Sequence, residues 1–473
     1  MATIDLSLIF AYLVALVLIG FYANRKQTGV DDYYVAGRRQ GTFSMACLWL
    51  ASWIGGASII GSSGKAYESG ITGVWYVASI AVGLLAFGLL MAGRIKRMGD
   101  AHGYLTYPDL IEHQFDSRTR VIATLTSGAA FIAFAAGQLA AAGSILHVLI
   151  GWDFSLSLMI AAGIVVVYTA TGGYLAVAWT DWFQFVLLLI GVLLIGLPIA
   201  IQNGGTPAEL TAALPASHFE LGAWGWPAIA ALCVSITLSY FVAMDSYSRC
   251  FAARSPRAAK RGTLLAVVSM LPIAVAATWM GMTSSVLFPG ITESNDVLTT
   301  FVVEMFPPGL RGLMLVGMLA AVMSTADICI LSVSANVTRD VYQRYINPDI
   351  SPQKMLRLGS LASLAVGAVA TLLAWKMRDV LDILLLAFTL NSAALILPTL
   401  AAVYAWRVDS TTAFWSICLS FGTVLAWYGC ATLELAPVFD TEALWPGLAV
   451  ALISFFGIHA LRPAAPAALD HSA

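Results

Sequence analysis

Charge is what this chain has least of. Only 11% of its 473 residues are Asp, Glu, Lys or Arg, against 59% hydrophobic, and the mean hydropathy is +0.84. A soluble domain of this size cannot cover itself with so few polar side chains, so the composition leaves a polytopic membrane protein embedded in the lipid bilayer. The 24 basic and 26 acidic residues nearly cancel, to a net charge of −2, and no basic face for nucleic acid exists. The six cysteines lie scattered in apolar segments without a C-x-x-C, which excludes a disulfide framework and a zinc site and leaves small buried hydrophobes. Histidine is equally sparse: His102, His113, His147 and His218 fall outside the span centres with no paired spacing, and no Gly-rich phosphate loop or positioned nucleophile appears. The sequence therefore offers no catalytic residue and predicts a protein that is not an enzyme. A basic leader is missing too. The first apolar run follows Asp5, and its basic flank, Arg25-Lys26, comes after it, which predicts a retained first span with the N-terminus outside.

What the chain has instead is apolar runs of about 20 residues, the length a membrane crossing needs. Thirteen are predicted: 4–24, 41–65, 71–93, 119–150, 153–172, 176–201, 224–250, 260–287, 309–336, 355–376, 379–405, 411–433 and 443–461. Gly204-Gly205, Phe288-Pro-Gly290 and Pro307-Pro308 punctuate the gaps, none of which is long enough for a globular domain. With the N-terminus outside, twenty of the 24 basic residues fall on the inner side, and only Lys65, Arg311, Lys376 and Arg378 on the outer. That asymmetry obeys the positive-inside rule and places the C-terminus inside. The Ala/Pro-rich tail from Pro463 reads as disordered.

One stretch breaks the apolar monotony: Leu48-Trp-Leu-Ala-Ser-Trp-Ile-Gly-Gly-Ala-Ser-Ile-Ile-Gly-Ser-Ser-Gly64. Adjacent glycines cost about 1 kcal/mol each in a helix interior relative to Ala. Either the pair Gly55-Gly56 lets helices pack closely, or it opens the helix and presents free carbonyls inside the protein, the one place where non-helical backbone is tolerated at membrane depth. Three buried aspartates add to the anomaly, since a carboxylate at a helix centre costs about 2.5–3.5 kcal/mol on insertion. Asp327 lies deep in span nine with no basic residue one turn away; Asp245 lies in span seven and faces either a cavity or Arg249 one turn on; Asp181, at the inner mouth of span six, is either a helix cap or an ion-handling group. Ser324 and Thr325 can back-bond their own helix, or supply two of the hard oxygens that Na⁺ wants, with opened-helix carbonyls supplying the rest. Gln138 in span four, Trp53, Tyr240 and Tyr247 are either core or cavity lining.

Four segments together resemble the sodium/solute symporter family, which includes proline, sugar, sialic acid and choline carriers. They are Asp31-Asp-Tyr-Tyr-Val-Ala-Gly-Arg-Arg39, the glycine-broken span two, Gly172-Gly-Tyr-Leu-Ala-Val-Ala-Trp-Thr-Asp-Trp-Phe-Gln184, and Leu319-Ala-Ala-Val-Met-Ser-Thr325 with Thr338-Arg-Asp-Val-Tyr342. The resemblance implies an all-α fold like that of amino-acid/sodium symporters, with two inverted five-helix repeats over residues 41–202 and 203–408. Residues 1–40 and 409–462 would be peripheral, and broken spans two and seven would face each other at the midplane. Span seven has no Gly or Pro to mark such a break, only Ser, Thr and Asp. Carried over by position, the family's sodium site falls on the carbonyls of Ala51, Ile54 and Ala321 and the hydroxyls of Ser324 and Thr325. Asp181 and Asp327 fall where a second ion or a coupling group is expected. Trp53 stands where proline carriers have an acidic residue, and Ala243 where the choline branch has an aromatic one. The function implied is multi-pass plasma (inner) membrane symport of Na⁺ with a small polar organic solute (amino acid, carboxylate or amine-like), by a unit working as a monomer. Solute would touch Trp53, Gly55, Gly56, Gln138, Tyr240, Asp245 and Tyr247. Proton coupling through Asp327 or Asp181 on the same fold is the alternative, and a transporter-like sensor a more distant one.

Overall fold

The structure, a computed structural model, describes residues 3–24, 38–104 and 106–462. Within its helices the side chains at 16–17, 19–21, 23–24, 56–57, 168, 171–185, 188, 352 and 356 lie outside that description. So do residues 31–37 of the first resembling segment, the flank Arg25-Lys26 and the tail 463–473.

The described residues are helical throughout, and an isolated bridge between Gln40 and Ala253 is the extent of their strand-like pairing. The first helix α1 (Thr3–Asn24) precedes α2 (Thr42–Trp53) and α3 (Gly56–Ser69), which a 3₁₀ turn joins to α4 (Val74–Leu90). Two short helices, α5 (Ala92–His102) and α6 (Tyr107–Gln114), lead to the long α7 (Ser117–Ile150) and α8 (Phe154–Leu189). After a π-helical turn come α9 (Leu197–Gln202), α10 (Pro207–Ala213), α11 (Trp226–Val242), α12 (Met244–Ala252) and α13 (Pro256–Leu287). The chain continues through α14 (Val297–Met305), α15 (Leu310–Ala335) with a π-helical extension Asn336–Ile346, α16 (Pro352–Met377), α17 (Val380–Tyr404), α18 (Ser410–Thr432) and α19 (Leu444–Leu461).

Burial sorts these into centre and rim. The apolar windows of α7, α15 with its extension, and α17 are 83%, 89% and 83% buried, whereas those of α16, α18 and α19 are each 28% buried and face outward. Small residues let the central helices meet closely. A Cβ on Gly281 of α13 would lie 2.2 Å from the Ser63 carbonyl of α3, and one on Gly143 of α7 would lie 3.1 Å from Leu158 of α8. Several of the scarce carboxylates sit at helix starts: Asp116, Asp153 and Asp409 each accept a backbone N–H of their own first turn at 2.8–3.0 Å. Asp5 does so across the fold, accepting from Gly309 (2.8 Å) and Gly312 (3.0 Å) at the start of α15.

Among the described residues, eight helical stretches are long and apolar enough to cross a membrane, or ten if each of two bent pairs counts as one. One expected boundary is corrected: runs 153–172 and 176–201 are not separated, since α8 runs unbroken through Gly172-Gly173 before its π turn. A glycine pair lowers helix propensity but does not compel a break when 36 residues propagate the helix. Span seven is the reverse case, and it has the break that the family resemblance implies. Span seven, without Gly or Pro, bends by 48° between α11 and α12. The joint is Ala243 at φ −64°, ψ 126°, an extended conformation open to any residue. The Tyr247 hydroxyl donates to the Phe241 carbonyl at 2.7 Å, satisfying a main-chain group that the break leaves behind.

Candidate functional site

Span two is also broken, so of the two readings of Gly55-Gly56 the opened helix is the one found. The last main-chain bond of α2 runs from Ile54 N to the Leu50 carbonyl (2.9 Å), and α3 resumes with Ser58 and Ile59 N on the Gly55 carbonyl (3.1 and 3.4 Å). Ile54 is turned to φ −107°, ψ 67°, and Gly55 is extended. The carbonyls of Ala51 to Ile54 thus lose the turn that would have capped them. Ser58 Oγ donates to that of Trp53 (2.9 Å), and Thr325 Oγ1 reaches across from α15 to that of Ala51 (3.4 Å).

On α15, Ser324 Oγ and Thr325 Oγ1 donate to the Ala321 carbonyl at 3.2 and 2.9 Å. Such back-bonding is ordinary in a membrane helix; the reach of Thr325 to a second, interrupted helix is not. Gly55 shows how tight the junction is. A Cβ there would lie 3.1 Å from Thr325 Oγ1, 3.3 Å from the Ala321 carbonyl and 3.4 Å from Gln138 Oε1. Helices α2/α3, α15 and α7 therefore bring oxygens to one point, and Ala51, Gly55, Gln138, Ala321 and Thr325 are neighbours in space. Ile54 is the break itself, with Ser324 one turn from Ala321 on the same helix.

Beside this junction lies a cavity of about 30 Å³, room for a water or two, lined by Ser52, Trp53, Phe134, Asp245, Thr325, Phe388 and Asn391, among others. Trp53 organises it. The indole stacks on Tyr240 (centroids 3.8 Å apart, planes at 22°) and faces Phe388 (5.8 Å, 9°), while Nε1 donates to Asp245 Oδ2 at 3.0 Å. Asp245 also pairs with Arg249, whose guanidinium donates to Ser52 Oγ and lies 5.1 Å over the Trp49 ring. Both readings of Asp245 thus hold at once. It borders the cavity, yet Arg249 one turn on neutralises it, so the cavity carries no net negative charge from this group.

The other predicted positions divide. Tyr240 is fully buried behind Trp53 rather than in the cavity wall, and Tyr247 is a fully buried helix cap packed on Tyr107 (4.9 Å). Gly56 opens α3. Asp327 is 1% exposed and accepts a hydrogen bond from Thr169 Oγ1, turned toward α8. Asp181 falls on α8, with its side chain outside the described residues. Phe134, Phe388 and Asn391 were not predicted. Aromatic residues in apolar runs carry no signal, but Asn391, a lone amide in Leu390-Asn-Ser-Ala-Ala394, carries the same signal as Gln138, a polar group within an apolar run.

Residues 33–420 match the model of the Sodium:solute symporter family. Among curated proteins, the chain is 27% identical to the high-affinity proline transporter PutP of Bacillus subtilis (strain 168), over 95% of this chain and 96% of that one. It is likewise 27% identical to the sodium/proline symporter of Salmonella typhimurium (strain LT2), over 94% and 92%. Among solved structures, the substrate-bound outward-open state of a Na⁺-coupled sialic acid symporter superposes with a TM-score of 0.80 at 21% identity, covering 98% of this chain and 99% of the other. A nucleobase-cation-symport-1 family transporter in a closed conformation superposes at 0.59 with 18% identity, over 92% and 96%. At these identities the structural likeness speaks for the fold.

Proposed function

Because the chain belongs to the sodium:solute symporter family, we propose that it imports a small zwitterionic solute of the amino-acid class together with Na⁺, by alternating access. It is an integral membrane transporter of the plasma membrane and not an enzyme. The observation that carries the proposal is the junction at Gly55, where interrupted main chain of one helix meets Thr325 and the Ala321 carbonyl of another within 3.3 Å of one point. In this reading the carbonyls of Ala51, Ile54 and Ala321 and the hydroxyls of Ser324 and Thr325 hold the ion. The cation gathers hard oxygens from both broken and unbroken helices, and its binding clamps α2/α3 to α15.

The adjoining cavity supports the solute class. Its aromatic walls (Trp53, Phe134, Phe388) suit an apolar body. Next to them stands a carboxylate–guanidinium pair, Asp245 and Arg249, rather than a lone anion. A lone carboxylate would favour an amine, whereas a compensated pair favours a solute that carries both charges. That two relatives are proline transporters agrees with this class. The cavity's present size admits water and not an amino acid, so solute entry requires the halves of the molecule to part. Spans 41–202 and 203–408 as inverted repeats, with the N-terminus outside, supply the two moving halves. The driving force suffices: one charge crossing about 100 mV yields roughly 2.3 kcal/mol, and a tenfold Na⁺ gradient about 1.4 kcal/mol more.

Uptake into proteoliposomes under an inward Na⁺ gradient, screened over amino acids, tests the reading. Removing one hydroxyl ligand from a bound cation should cost about 1.5–3 kcal/mol, so Ser324→Ala and Thr325→Val should each raise the half-saturating Na⁺ concentration roughly ten- to hundredfold. Uptake that persists without Na⁺, follows pH, and ignores both substitutions would replace sodium coupling with proton coupling.

A further inference from the structure

Gln138 lies in the second half of α7 at 1% exposure, and among the described residues neither Oε1 nor Nε2 of its amide has a hydrogen-bond partner. A buried amide with both ends unsatisfied is destabilising unless the working cycle supplies a partner. The side chain cannot relieve itself by swinging toward lipid. Its neighbours Gly137 and Leu139 are buried, and a Cβ on Gly137 would lie 2.9 Å from Leu384. Nor does it border the aromatic cavity, whose wall on α7 is made by Ala130, Phe131 and Phe134. Its Oε1 instead lies 3.4 Å from the point where Gly55 would carry a Cβ, the same point that Thr325 Oγ1 and the Ala321 carbonyl approach to 3.1 and 3.3 Å.

We propose that Gln138 is a sodium ligand, its Oε1 completing the coordination shell from a third helix. The inference rests on the sodium site proposed above and deepens it. An amide oxygen has the hardness Na⁺ selects and brings no charge, so it adds a ligand without the desolvation cost of a second carboxylate. The consequence is mechanical. Ion binding then ties α7 as well as α2/α3 to α15, and α7 carries part of the aromatic wall of the cavity, so occupancy of the ion site bears directly on its shape.

The test uses the full-length purified transporter and sodium chloride alone, titrated against N-methyl-D-glucamine chloride at constant ionic strength, with thermal stabilisation as the readout. Gln138→Leu should weaken Na⁺ binding at least tenfold. Gln138→Glu, which keeps an oxygen in place, should bind Na⁺ within about threefold of wild type or tighter. The melting temperature without Na⁺ reports folding of each variant, and Gln138→Leu should hold or exceed the wild-type value, since it removes an unsatisfied amide. Wild-type Na⁺ affinity in Gln138→Leu would overturn the proposal, as would an equal loss in Gln138→Leu and Gln138→Glu when both are folded. Thr325→Val separates the two claims: if it loses Na⁺ binding while Gln138→Leu keeps it, the sodium site stands and Gln138 is no part of it. If the wild type shows no sodium response, the site itself fails.

Discussion

Gly55 is the residue on which the local chemistry turns. Its φ of −86° is open to any amino acid, so the backbone does not demand glycine there. Space does, because a methyl group would sit among three oxygens at 3.1–3.4 Å. Gly55→Ala is therefore expected to fold, with a melting temperature in Na⁺-free buffer close to wild type, and yet to lose at least tenfold in Na⁺ affinity. A variant that binds Na⁺ normally would show that the cation sits elsewhere. A second residue offers a pH test outside the spans. Burial pushes the carboxyl of Asp296 up, opposed by the Ser144 hydroxyl that donates to it at 3.0 Å and by nearby His147. A carboxyl raised by folding stabilises the fold fully below the ordinary carboxylate range and loses that contribution as pH rises through its raised value. Asp296→Asn should then raise the melting temperature near pH 8 and leave it unchanged near pH 4. An equal shift at both pH values would contradict this. At this scale the sequence was legible where a residue was out of place chemically. Gly55, Thr325, Gln138 and Asp245 stand out from their apolar surroundings, whereas Phe134 and Phe388 are indistinguishable from core, and the capping role of Tyr247 depends on a bend that no local residue announces.

Elements tell a similar story about breaks. The interruption of span two was readable because adjacent glycines are costly in a helix and gain nothing facing lipid. The interruption at Ala243 was not, because its conformation is common to all residues and the groups around it meet only once the bend exists. The Tyr247 hydroxyl reaches the Phe241 carbonyl across the bend, and Tyr240 stacks on Trp53 from another helix. Conversely, the expected boundary between runs 153–172 and 176–201 lies within one helix. Helix ends are the other element-scale feature. Asp5 was visible as a carboxylate before the first apolar run, but its partner is 304 residues away at Gly309, where it caps the start of the helix that carries Ser324 and Thr325. Losing a carboxylate at a helix N-terminus costs about 1–2 kcal/mol. Asp5→Ala should accordingly lower the melting temperature by a few degrees, with Na⁺ affinity nearly intact. A large loss of Na⁺ binding without destabilisation would mean that α1 acts on the site and does not merely anchor α15.

Across the whole molecule, composition settled the class, and the ordered combination of motifs the family; the number of crossings and the geometry of the centre came from packing. The most buried helices, α7, α15 and α17, are those that meet the Gly55 junction or the cavity, while α16, α18 and α19 form the rim. At the far end of the same central helices, buried Arg120 joins Asp340 (2.7 Å), Glu112 (2.6 Å) and Asp109 (3.1 Å), and Arg344 reaches Glu112 at 2.7 Å. The network ties α6 and the start of α7 to the π-helical extension of α15, the two helices that carry Gln138 and Thr325. The proposed ion site at the centre and the ion-pair network at that end thus share the same two helices, so under the proposed mechanism a shift at one would be carried to the other. The proposed function requires one sodium ion at the Gly55 junction, and binding of radioactive sodium to the purified protein at equilibrium tests this most directly. Saturable binding by the wild type that disappears in the Ser324→Ala, Thr325→Val double variant is the predicted result; binding that survives in the folded double variant, or is absent from the wild type, would contradict it.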